Sequence, residues 1–176
     1  MRNFVLSLST VLRAVSLGAL WISAVGLVFM TAFIAYQVFG RFVLNDTPTW
    51  TESGSVLLMG WFILLGAAVG IREGNHLSFD VLLFIMPDSV NKVLFTLSDL
   101  VVIAFGGGMV YYGVQLAART WSTTIPNLGF SGAVAFFALI GGGILVVCFS
   151  LERVLRRLVG LPTSRFGEVS IEEAEA

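Results

Sequence analysis

The 176-residue chain is 57% hydrophobic and only 12% charged, with a mean hydropathy of +0.93, so it lacks the charge to cover a soluble domain. A net charge of −1 without a basic patch excludes a nucleic-acid partner, and a single cysteine, Cys148, excludes an internal disulfide. Charges are also absent from long stretches: 27 residues between Arg13 and Arg41, 19 between Glu52 and Arg72, 19 between Asp99 and Arg119, and 32 between Arg119 and Glu152. About 20 apolar residues cross a bilayer. The pattern predicts an all-α membrane protein with four transmembrane helices, forming one domain over residues 1–162.

Residues 2–13 place Phe4, Leu8, Val11 and Leu12 on one face and Arg2, Ser9 and Arg13 on another. That spacing predicts a short amphipathic helix in the membrane interface. The first span follows at about 14–39; it is too long for a signal-peptide core and no small-residue cleavage site closes it. The connection "RFVLNDTPTWTES" has Pro48 suited to a helix start, Thr49 and Glu52 spaced as a capping box, and Trp50 at headgroup level. The second span is predicted at about 53–71, with Trp61 near its middle and Gly66-x-x-x-Gly70 as a small-residue seam. A second interfacial helix is predicted at about 78–86, before Pro87. The third span, at about 95–118, carries Asp99 near one end, with Lys92 two turns earlier as a possible partner. The fourth lies at about 129–151. Residues 163–176 read as an acidic, disordered tail.

Four spans put both termini on one side. That side holds eight of the ten Lys and Arg residues and the other holds Arg41 and Arg119, so both termini are expected in the cytoplasm. No cofactor is expected: one histidine excludes a bis-histidine haem within the chain, and no phosphate loop or hydrolytic triad is present. No span has an acid at its centre or a proline break, features that transporter sites commonly use. The chain is therefore expected neither to catalyse a reaction nor to transport alone.

The order Arg41-Phe42-Val43-Leu44, Trp50-x-Glu52, Trp61, Gly66-Ala67-Ala68 and Arg72-x-Gly74-x-His76-Leu77-Ser78-x-Asp80 resembles the small membrane subunit of TRAP (tripartite ATP-independent periplasmic) transporters. Two positions depart from the pattern: Ser53 stands where members often have a second acid, and Gln37 where they often have asparagine. The resemblance implies residence in the bacterial inner membrane. It also implies a partner, a large elevator-type membrane subunit that carries substrate and sodium. A periplasmic binding protein would deliver an organic anion, a carboxylate or sulfonate, and the small subunit would be a scaffold embedded in membrane lipid.

Within that frame Arg72, His76 and Asp80 are expected to form a network at the cytoplasmic end of the second span. Arg41 and Glu52 bracket the outer turn and are candidates for an ion pair or for contact with the binding protein. Trp50, Trp61, Gly66, Gly70 and Asp99 are structural or interface candidates; no catalytic, substrate or metal residue is assigned. Alternative readings are a membrane anchor of a redox enzyme, a small multidrug carrier and the small subunit of a tricarboxylate three-component transporter.

Overall fold

The computed structural model describes residues 2–73 and 88–159. Helix α1 spans Arg2–Phe39, α2 Trp50–Glu73, α3 Asp88–Arg119 and α4 Ala133–Leu158. All four are long and apolar enough to cross a membrane. The interfacial helix expected at 78–86 and the tail at 163–176 lie outside the described residues. At the N-terminus no break separates residues 2–13 from the first span. The two form one helix of 38 residues, about 57 Å long at 1.5 Å per residue, well beyond an apolar core of about 30 Å.

Two connections set the ends of the spans. After Phe39 the chain widens into a π-turn over Gly40–Leu44, where the Gly40 carbonyl accepts from the amides of Asn45 and Asp46, and Asn45 adopts a left-handed φ of 51°. Only glycine suits position 40, because a Cβ there would lie 2.7 Å from the Asp46 carbonyl oxygen. The start of α2 is tied by the Thr51 hydroxyl donating to the Pro48 carbonyl. The reciprocal bonds of a Thr49–Glu52 box are not found among the described residues.

Residues 120–132 form a tight hairpin. Ile125 N donates to Phe130 O (2.8 Å), Gly132 N to Thr123 O (2.7 Å) and Ser131 Oγ to Trp121 O (2.7 Å). Asn127 and Gly129 take φ values of 65° and 71°. This hairpin delays α4 to Ala133, four residues later than the apolar run suggests.

The helices pack as a layer in the order α1, α2, α4, α3. Only 11% of the apolar window is buried in α1 and in α3, against 28% and 33% in α2 and α4, so the first two are edges and the last two the centre. Helix α1 runs antiparallel to α2, with Gly26 over Phe62 and Phe33 over Gly54. Helix α4 is parallel to α2 (Ala138 beside Gly60, Gly142 beside Leu64) and antiparallel to α3 (Ile140 beside Gly113, Val147 beside Gly106).

Along α1, covered positions recur at alternating steps of three and four: Ser9, Leu12, Ser16, Ala19, Ser23, Gly26, and on to Gln37 and Gly40. That is a heptad seam, the signature of left-handed packing. Its residues are mostly small, because between helices in lipid close backbone approach replaces the hydrophobic effect as the source of contact. The Ser9 and Ser23 hydroxyls are satisfied within the helix by Leu6 O (2.9 Å) and Ala19 O (2.8 Å).

Candidate functional site: the charged end of the layer

Where α2 and α4 end and α3 begins, six charged side chains meet. Asp99 of α3, with only 1% of its surface exposed, lies 2.7 Å from Arg157 Nη1 and 3.6 Å from Arg153 Nη2. The shorter approach is an ion contact rather than an aligned hydrogen bond. Glu152 of α4, also buried, takes Arg156 Nε on one carboxylate oxygen (3.2 Å) and Arg72 Nε on the other (3.6 Å). Each carboxylate therefore bridges two guanidinium groups.

Helix direction brings these groups together. Side chains lean toward the N-terminus of their own helix. On α4 that turns Arg153 and Arg157 back toward the layer's interior; on antiparallel α3 it turns Asp99 toward the layer's end, to meet them. Arg153 Nη1 also donates to the Ile71 carbonyl of α2. That carbonyl belongs to the last turn of α2, whose oxygens have no partner within the helix. Arg72 lies 5.8 Å from the Phe149 ring centroid and Arg157 5.3 Å from that of Phe95, so both cations also rest on aromatic faces. The cluster ties α2, α3 and α4 together below a core of Ala68, Val146 and Phe149.

The structure redistributes the residues expected from sequence. Arg72 is in the network, but its described partner is Glu152; His76 and Asp80 lie outside the described residues. Asp99 is buried and paired with Arg153 and Arg157; the side chain of Lys92, its expected partner, lies outside those described. Glu152, Arg153, Arg156 and Arg157 were not anticipated. Their signal is a spacing of one, four and five residues from Glu152, which puts Arg153 and Arg157 together on one face toward Asp99 and Arg156 one turn on from Glu152 itself.

At the opposite end Arg41 is exposed and sits 5.9 Å from the Phe42 ring, with no ion pair to Glu52 among the described residues. Replacing Arg41 with glutamine should leave the thermal midpoint of the detergent-solubilised protein unchanged. A shift of several degrees would reveal a partner for it. Trp50 packs edge-on against Phe33, centroids 5.3 Å apart, and lies beside Tyr36. Trp61 packs on the cluster of Ala19, Leu65 and Val69.

A methyl group added at Gly66 or Gly70 would be accommodated without a clash. A Cβ on Gly66 would come only to 3.9 Å from Ser23 Oγ, and one on Gly70 would meet nothing within 4 Å. The tight approach is elsewhere, at Gly106, Gly113, Gly142 and Gly143. Among the described residues no group of His, Cys, Asp and Glu could hold a metal ion.

Comparison with known proteins gives this arrangement a context. Residues 30–160 match the family model described as "Tripartite ATP-independent periplasmic transporters, DctQ component". The chain is 25% identical over 138 residues to the sialic acid TRAP transporter small permease protein SiaQ of Vibrio cholerae, covering 77% of this chain and 80% of that relative. It is 28% identical over 100 residues to the C4-dicarboxylate TRAP transporter small permease protein DctQ of the same organism, covering 54% of this chain and 43% of DctQ. A third similarity, 23% over 95 residues, is to the sialic acid TRAP transporter permease protein SiaT of Haemophilus influenzae. There the match takes in 54% of this chain but 15% of the longer permease.

Proposed function

The chain belongs to the DctQ component family of the tripartite ATP-independent periplasmic transporters, a transport component and not an enzyme, and we propose that it is the scaffold subunit of a sodium-driven carrier of organic anions. In this reading a larger, elevator-type membrane subunit holds substrate and sodium. A periplasmic binding protein delivers the anion, and this chain enlarges the static body against which the elevator moves. It sits in the bacterial inner membrane with the charged end of the layer and both termini in the cytoplasm, as the distribution of Lys and Arg supports.

The observation that carries the proposal is where the buried charge lies. Asp99, Glu152 and their four arginines are engaged with one another at one end of the layer, and the spans offer no acid at mid-membrane. Ionic groups spent on joining helices are not available to grip a cargo. The open layer supports a scaffold as well, since only 11% of the apolar window of each edge helix is buried by the chain itself. The similarity to a short part of SiaT supports a large partner, because a segment like this one there shares a polypeptide with more permease sequence. Relatives named for sialic acid and C4-dicarboxylates support an anionic cargo.

The test is reconstitution in liposomes. Large subunit, binding protein and this chain together should give sodium-dependent anion uptake, and leaving this chain out should abolish it. Full uptake without it, or uptake by this chain alone, would overturn the proposal.

A further inference from the structure

Helices α3 and α4 approach closely at Gly106 and Gly113, while Gly107, one position on, faces open space. Beside that contact lies a groove of 570 Å³, walled by Gly107, Val110 and Val114 of α3 and by Ile144 and Val147 of α4. Its walls are almost wholly apolar. Val114 and Ile144 are exposed, so the groove opens on the surface that meets the bilayer. From Gly107 to Gln115 it follows about 12 Å of α3, at 1.5 Å per residue. Half of an apolar core about 30 Å thick is about 15 Å, so the groove matches the hydrocarbon depth of one leaflet.

Polarity rises along α3 from this groove toward the hairpin of residues 120–132. Tyr111 and Gln115 also line the groove, and Arg119 continues their series at intervals of four, on one helix face. Arg119 ends α3, is exposed, and has no ion pair among the described residues. Trp121 follows it, also exposed, at the level where tryptophan marks the headgroups. The face thus passes from hydrocarbon through an amide to a guanidinium. Acyl chain, ester and phosphate follow one another in the same order in a lipid leaflet.

We infer that the groove seats one acyl chain of a phospholipid from the leaflet on the hairpin side, with the lipid phosphate on Arg119. Guanidinium donors match phosphate oxygens in planar pairs. With lipid as the surrounding solvent, dispersion contacts rather than hydrophobic transfer decide what stays bound. A chain between two helices gains more of them than a chain on one helix face. An apolar protein helix in the groove would leave Arg119 without an anion, whereas a phospholipid supplies one.

The experiment titrates phosphatidylglycerol, and separately a diacylglycerol with the same chains, onto the delipidated full chain in mild detergent. Bound lipid is read by native mass spectrometry and stability by thermal midpoint. Phosphatidylglycerol should remain bound and raise the midpoint, and the diacylglycerol should bind about tenfold more weakly for want of the charged hydrogen bond. Arg119→Gln should bring phosphatidylglycerol down to the level of the diacylglycerol. Ile144→Trp and, separately, Val114→Trp should fill the groove from either wall and remove both lipids; both positions are exposed, so neither change overpacks the core. Arg41→Gln, at the same end of the layer, should leave lipid retention unchanged. Retention that survives both tryptophan variants, or equal binding of the two lipids, would overturn the inference. So would displacement of the lipid when the chain is co-purified with a larger membrane subunit, since the groove would then belong to a protein helix.

Discussion

Replacing Asp99 with asparagine will lower the stability of the protein by about 3–5 kcal/mol, the range for removing one partner of a buried ion pair. The loss will not be a missing attraction alone, because the carboxylate faces two guanidiniums. Arg157 is partly exposed and can swing toward water. Arg153 is held by the Ile71 carbonyl with only 5% of its side chain exposed, so it would remain as an uncompensated buried charge. Most of the expected cost comes from that one residue. The check is a paired measurement of urea or thermal unfolding in detergent. Asp99→Asn alone should be severely destabilised, whereas Asp99→Asn with Arg153→Met and Arg157→Met should recover much of the loss, since apolar packing often replaces a buried ionic group without penalty. A single variant within about 1 kcal/mol of the parent would mean that the cluster is solvated and contributes little.

Gly143→Ala should destabilise the protein by about 1–3 kcal/mol, the scale of overpacking in a tight interface. A Cβ at position 143 would lie 2.9 Å from the Gly106 carbonyl oxygen and 3.0 Å from both Met109 Cβ and Val110 Cγ2. Backbone oxygen cannot rotate away, so α3 and α4 must separate. Gly107→Ala is the matched control. No atom lies within 4 Å of its added Cβ, so only the helix-propensity gain of roughly 1 kcal/mol remains, and the variant should be neutral or slightly more stable. The difference between the two thermal midpoints is the readout. Equal effects would show that α3 and α4 do not meet at these glycines.

How much of this could be read from the sequence depends on which physical signal each feature leaves. Charge-free runs located all four helices, because length and composition decide what crosses a membrane. Helix α4, however, both starts and ends later than its charge-free run. Its start moved because a hairpin such as 120–132 is written in Asn127 and Gly129 backbone angles rather than in hydropathy. Its end moved because charge was taken as the exit from the membrane, while Glu152, Arg153 and Arg156 continue the helix and are buried against neighbours.

The runs Gly106–Gly108 and Gly141–Gly143 stand in the sequence, but which of their members pack does not: Gly106 packs, whereas Gly107 and Gly108 face open space. The heptad seam of α1 escaped notice because buried and exposed positions there are both uncharged, and a hydrophobic pattern needs contrast. Asp99 was legible as a buried acid, yet its partners sit more than fifty residues away in the chain, a pairing that only the antiparallel approach of α3 and α4 creates.

The order of helices across the layer has a consequence for how the polypeptide matures. The first and second helices form one antiparallel hairpin and the third and fourth another, and the principal seam between them is the parallel contact of α2 with α4. Each hairpin can be threaded into the bilayer as soon as it leaves the ribosome, and the two zip together only after the last helix has arrived. Joining of the two hairpins thus waits on α4, which carries Glu152 and all three of its neighbouring arginines.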